Sequence, residues 1–164
     1  MKKPLIAWIA GGLLLLAGIA FGLGLFSQTD DKTQIRNALD RALRASKEGR
    51  PGGVLELISA DFELNQNKFS SGQIAQKIKE MKPNVEVESR EPVISGDTAK
   101  ITSPVNLSLS LPPVQMRLSK TELDFQREDT RRLLFFPAKD WKLVKVTIPE
   151  EVYEEVSSQF GGGF

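Results

Sequence analysis

AKITSPVNLSLSLPPVQMRLSKTELDF, residues 99–125, carries the clearest structural pattern in the chain. Its apolar residues return at every second position, the spacing of a strand with one buried face. Ala99, Ile101, Val105, Leu107, Leu109 and Leu111 fall on one side, and Pro112-Pro113 ends that strand. In the strand that follows, Val114, Met116 and Leu118 hold even positions, but Leu123 and Phe125 hold odd ones. A strand changes parity by taking in an extra residue, so a β-bulge is expected between Ser119 and Glu122. Pro104 and Pro92 have no N–H to give to a ladder and mark edge positions or bulges.

Beyond this stretch, Arg127-Glu128-Asp129-Thr130-Arg131-Arg132 reads as a charged turn. Leu133-Leu134-Phe135-Phe136 follows and turns through Pro137–Asp140 into Trp141–Ile148. A strand apolar on both faces needs a cover on each, whether helix, membrane or another chain. Leu133, Leu134, Phe135, Phe136 and Trp141 are therefore the candidate interface. Glu150-Glu151 and Glu154-Glu155 make an acidic end, and the chain closes on Phe160-Gly161-Gly162-Gly163-Phe164.

Before residue 99 the pattern is first helical, then extended. Ile35, Ala38, Leu39, Ala42 and Leu43 make one helical stripe, opened by Thr29, Asp30 or Asp31 and stopped by Gly49 and Pro51. Gly52-Gly53 opens a short second helix over Val54–Ile58, and Asp61–Leu64 is a brief extended piece. Ser70 and Gln73 have the spacing of a capping box, with Phe69 placed to staple onto Ile74. Ile74, Ile78 and Met81 form that helix's buried face, and Pro83 ends it. Val85 and Val87 then alternate with Glu86 and Glu88, and Ser95-Gly96-Asp97 is a turn into the long strand.

Two to three helices followed by a curved antiparallel sheet of four or more strands is an α+β architecture. The element order, with the closing Asp140-Trp141-Lys142-Leu143-Val144-Lys145-Val146, resembles the nuclear-transport-factor-2-like superfamily over roughly Asp30 to Glu151. The resemblance implies a cone with a pocket and pairing through the sheet. It implies no activity, because that fold hosts enzymes, ligand binders and scaffolds alike.

Composition closes off several function classes. The chain has 22 Lys+Arg and 21 Asp+Glu, no histidine and no cysteine. Without Lys2 and Lys3 the balance is 20 against 21, so the chain lacks the basic excess that marks nucleic-acid binders. With no histidine, the usual proton shuttle near neutral pH and the commonest metal ligand are missing. No residue set asks for a cofactor or a metal ion. Asp61, Glu63 and Asp124 are the acids set among apolar strand residues, but alternation turns each away from the core and toward water. Asn106-Leu107-Ser108 is a glycosylation sequon, relevant only in a eukaryotic secretory route.

At the other end, Pro4 to Phe26 is a run of 23 residues without a charge. As a helix it spans about 34 Å, against a hydrocarbon core of roughly 30 Å. Its length favours a retained anchor over a cleaved signal, since the small-x-small triplet Gly18-Ile19-Ala20 lies inside the run. Gly18 and Gly22 form a GxxxG through which two anchors can pair. Lys2 and Lys3 before the run, and Asp30 and Asp31 after it, favour a cytoplasmic N-terminus. The organisation expected is a cytoplasmic stub (1–3), a transmembrane helix (4–26), a linker (27–32), a cone-like domain (33–150) and a tail (151–164). The function expected is that of a single-pass, membrane-anchored extracytoplasmic domain, in the inner membrane of a bacterium. It binds or assembles with an envelope partner or a second copy. The alternatives are a binder of a small apolar ligand in the cone and, behind it, an acid–base enzyme.

Overall fold

The computed structural model describes residues 30–110, 113–133, 136–150 and 152–154. The 4–26 run, with Gly18 and Gly22, lies outside the described residues. Among those described, no helix is long and apolar enough to cross a membrane.

Among the described residues, α1 (Asp31–Lys47) and α2 (Pro51–Leu55) come first, and α3 (Ser71–Met81) follows the first two strands. α1 takes in Asp31 and Lys32, the last two residues of the stretch read as linker. It buries Ile35, Leu39, Ala42, Ala45 and Ser46, the expected stripe extended by one turn. Proline at its first position starts α2, a favoured place because the missing N–H would be unpaired there anyway. At Gly53 any Cβ would stand 2.6 Å from Ala45 Cβ, so glycine is what lets α2 lie against α1. The capping box of α3 is present. Ser70 Oγ accepts from Gln73 N–H at 3.3 Å, and Gln73 Oε1 accepts from Ser70 N–H at 2.9 Å. Lys82, left-handed at φ 43°, closes α3 immediately before Pro83.

The sheet is larger than expected and not purely antiparallel. Among the described residues seven strands take part: β1 (Ile58–Leu64), β2 (Asn67–Lys68), β3 (Asn84–Val87), β4 (Val93–Ser95), β5 (Thr98–Ser110), β6 (Pro113–Leu133) and β7 (Phe136–Thr147). Their order is β2-β1-β7-β6-β5-β3, with β4 also on β5. β1 pairs with β7 in parallel, which corrects the all-antiparallel expectation. Ile58 starts β1 and does not end a helix: α2 stops at Leu55, and Leu143 N–H bonds Leu57 C=O at 2.9 Å. β1 and β2 join through Asn65 and Gln66, both at positive φ, as a tight hairpin turn requires. Asn65 also pins the residue that follows β7, donating to Ile148 C=O at 2.9 Å and accepting Ile148 N–H at 2.8 Å.

The bulge in β6 lies where the parity change puts it. The register runs Ser103↔Thr121 and then Val105↔Leu118, so Ser119 and Lys120 together oppose Pro104. Pro104 lies on β5 between Val105, which pairs with the last residue of β3, and Lys100, which pairs with the first residue of β4. A second bulge has no counterpart in the expectations. Asp124 pairs with Lys145 but Phe125 with Leu143, leaving Val144 as the extra residue of β7.

Two expected turns are strand. Arg127–Arg132 lies within β6, and Pro137–Asp140 lies within β7, paired to each other from Arg127↔Trp141 to Arg131↔Pro137. The hairpin arm runs on to a Leu133↔Phe136 pair, and residues 134–135 lie outside the described residues. Two ladders meeting there satisfy the backbone groups that a charged loop would have left to water.

α1 packs on β3 and β7, and α2 bridges α1 and α3, so the helices cover one face of the sheet. The core joins Ile35 and Leu39 of α1 to Ile101, Val105, Leu118, Phe125 and Leu143 of the strands.

Candidate functional site

Between the helices and the inner face of the sheet lies a cavity of about 370 Å³. Alternation along β5 sends Val105, Leu107 and Leu109 into it, and β6 adds Met116, Leu118 and Leu123. α1 closes the other side with Leu39, Ala42, Leu43 and Ser46, one turn-spaced stripe. The volume is at the small end of the range for pockets that enclose a small molecule, roughly 300–1,000 Å³.

Two side-chain hydroxyls are the polar groups in this lining. Ser46 Oγ donates to Pro83 C=O at 2.8 Å. Thr121 is 3% exposed, and its Oγ1 has no hydrogen-bond partner among the described residues. Ser103, opposite Thr121 in the register, donates to Pro104 C=O at 2.9 Å and accepts Ser89 N–H at 2.7 Å. No carboxylate among the described residues lines the cavity.

A second apolar groove, about 410 Å³, runs between α3 and the β1–β2 hairpin. Phe69 and Ile74 line it together, the two residues with staple spacing, alongside Phe62 and Ile78. Leu64, Met81 and Pro83 line both spaces, so groove and cavity adjoin across these three residues.

Of the expected interface residues that the structure describes, Trp141 stands apart from the Leu133↔Phe136 pair. Trp141 is 4% exposed and belongs to the core, so it is not a surface group of this chain. Its indole N–H donates to Asp31 Oδ1 at 3.2 Å, and the Arg127 guanidinium lies 4.8 Å over its ring. Arg127 reaches the same Asp31 oxygen at 2.5 Å. Leu133 and Phe136 end the hairpin five positions further along β7, about 17 Å away at strand rise. Leu134 and Phe135 lie outside the described residues.

The three acids stand at the surface or in ion pairs. The side chain of Asp61 is 88% exposed, 3.7 Å from Lys68, and Glu63 is 4.0 Å from the same ammonium. Asp124 and Glu122 share Lys100, at 3.2 and 2.9 Å. Lys100 holds the Glu122 carboxyl below the usual carboxylate range by hydrogen bond and charge, with Lys120 adding to the effect. Lys100 is raised in turn, first by its hydrogen bond to Glu122 and then by Asp124. The hydroxyl of Tyr153 accepts from Asn67 Nδ2 at 2.7 Å, which ties the segment after β7 to the β1–β2 hairpin. Glu151 and Glu155 lie outside the described residues, and no group of three or more ligating side chains among those described could hold a metal ion.

Thr121 is the site residue that alternation around the apolar residues passed over. The signal was available, because after the bulge the inward positions are 121, 123 and 125, the parity of Leu123 and Phe125.

No protein-family model matches the chain, and no curated protein matches it in sequence. Solved structures do match in fold. An NTF2-like protein from Cytophaga hutchinsonii superposes with a TM-score of 0.54 at 11% identity, covering 73% of this chain and 98% of that one. A conserved protein from Planctomyces limnophilus gives 0.51 at 16% identity, over 71% and 93% of the two chains. A protein described as a candidate ketosteroid isomerase, from Shewanella frigidimarina, gives 0.50 at 12%, over 74% and 96%. The chain has the NTF2-like fold.

Proposed function

We propose that this chain is a membrane-anchored, extracytoplasmic domain that shelters a small apolar molecule in the cavity of its NTF2-like fold. The cavity carries the reading: about 370 Å³ of space faced by Leu, Val and Met side chains, with Ser46 and Thr121 as its polar groups. Burying apolar ligand surface there is favourable at about 25 cal/mol per Å². An acid–base reaction would need a carboxylate or another proton carrier at the ligand, and no acid among the described residues lines the cavity. The anchor reading rests on the uncharged run from Pro4 to Phe26 and on Lys2 and Lys3 before it. It places the cavity close to a bilayer, a store of apolar molecules.

The test uses the full chain in lipid nanodiscs, with empty nanodiscs as the partition blank. Saturable binding of N-phenyl-1-naphthylamine is expected, and Ala42→Phe, which pushes a ring from α1 into the cavity, should abolish it. Binding equal to the blank, or unchanged in that variant, would refute the cavity reading. The anchor is tested separately: the chain should stay in the pellet after alkaline carbonate, and a C-terminal alkaline-phosphatase fusion should be active.

Assembly with an envelope partner or a second copy is a second reading. It is favoured by the apolar Leu133↔Phe136 pair at the far end of the hairpin. Sedimentation of a Phe136→Glu variant should show a smaller species if the hairpin end joins chains.

A further inference from the structure

We infer that the ligand is a single unbranched hydrocarbon chain with one polar end. Its methyl end lies in the cavity, and the rest runs out along the groove between α3 and the β1–β2 hairpin. This rests on the cavity reading above and adds the class of the ligand and its direction.

The two spaces share a lip. Leu64, the last residue of β1, Met81, the last of α3, and Pro83 line both of them. All three are half-buried, so they form a partly open rim and not a sealed wall. The rim lies where α3 stops: Lys82 turns left-handed at φ 43°, and Pro83 cannot continue a helix. Met81 carries an unbranched thioether, a side chain that adapts readily to whatever lies against it.

Size sets the length of the ligand. A methylene takes about the room of a water molecule in the liquid, roughly 30 Å³, so the cavity holds about twelve carbons. A longer chain has to leave. Over the lip it meets Phe62, Phe69 and Ile74 and stays against hydrocarbon. Each methylene kept out of water strengthens binding roughly 4-fold, which favours this exit over one into solvent.

The direction follows from where polar side chains stand. Gln73, Gln76 and Lys77 line the groove and not the cavity, and no charged side chain among the described residues lines the cavity. A charged head taken inside would lose its water with no counter-charge to meet it, which is strongly unfavourable. In the groove it keeps its water, so the methyl end goes in first.

The experiment uses the full chain in nanodiscs and two hexadecanols carrying a diazirine, one near the methyl end and one near the hydroxyl. After photolysis, peptide mapping should place the first on Leu107 or Met116 in the cavity and the second on Phe69 or Ile74 in the groove. Excess plain hexadecanol should abolish both. A second measurement is displacement of N-phenyl-1-naphthylamine by straight-chain alcohols of ten to sixteen carbons, with Kd referred to the free aqueous concentration. The gain of roughly 4-fold per methylene should continue past twelve carbons in the wild type. In Ile74→Glu, which puts a charge in the groove, it should stop there. A hydroxyl-end probe found anywhere but the groove, or a wild-type gain that ends at twelve carbons, would overturn the inference and leave the cavity reading standing. Saturable labelling and displacement by none of the alcohols would overturn both. If Ile74→Glu loses its cooperative thermal transition, the wild-type series and the labelling map decide without it.

Discussion

Asp31, the first residue of α1, should be worth more to this fold than a surface acid, and the structure says by how much. Its Oδ1 accepts from the Trp141 indole and faces the Arg127 guanidinium. The ion pair is partly open, with side chains 36% and 26% exposed, so solvent screening holds its worth to about 0.2–1 kcal/mol. The indole is different. Trp141 is 4% exposed, and a buried N–H left without an acceptor costs about 1–3 kcal/mol. Asp31→Asn keeps an amide oxygen for the indole and loses only the charge, so it should cost no more than about 1 kcal/mol. Asp31→Ala loses both contacts and should cost about 2–3 kcal/mol. Urea denaturation followed by tryptophan fluorescence measures this directly once Trp8, the other tryptophan, is replaced by phenylalanine. Emission from native Trp141 should also move to longer wavelength in the alanine variant alone. Equal costs for the asparagine and alanine variants would refute the claim that Asp31 satisfies the indole.

Three further outcomes are expected. Ser70→Ala should remove the α3 cap at about 1 kcal/mol, within a range of roughly 0.5–2, and speed amide exchange at Gln73 and Ile74. Deleting Lys120 should abolish cooperative unfolding: it removes the bulge and turns Leu123 and Phe125 to solvent, forfeiting about 3–6 kcal/mol of burial. The Lys100–Glu122 pair should show in pH dependence with opposite signs at the two ends. The stability from Glu122, whose folded pKa is lowered, is present above its unfolded value and is lost as pH falls through the folded one. That from Lys100, raised, is present below its unfolded value and is lost as pH rises through the folded one. Glu122→Gln should therefore flatten the drop in urea midpoint below about pH 4.5, and an unchanged acid limb would show the pair to be idle.

The parity of apolar residues revealed the β6 bulge because Leu118 and Leu123 are flanked by polar neighbours, so each marks a face. It hid the β7 bulge because Leu143 and Val144 are both apolar, and either could have been the inward residue. Residues 127–132 looked like a loop for a related reason. A run of Arg, Glu, Asp and Thr carries no apolar residue to mark a face, so no alternation identifies it as strand. The α2–β1 boundary was blurred because Val54-Leu55-Glu56-Leu57-Ile58 fits a helix turn or a strand equally, and a parallel partner 85 residues further on, Leu143, settled it. Hydrogen-bond partners across the fold leave no local trace. That is why Trp141 read as part of an interface.

The Asp31 clamp has a mechanical meaning. α1 is the first described element after the run read as an anchor, so under the proposed anchoring a pull between membrane and domain would enter the fold at this residue. A helix held only by its apolar stripe would peel from that end, one contact at a time, at low force. Here the first residue of α1 is tied to β6 and β7, the central strands of the sheet, by an indole and a guanidinium on one carboxylate oxygen. Load passes at once into ladders whose hydrogen bonds must break together. The cavity behind α1 would keep its shape under tension until that joint fails.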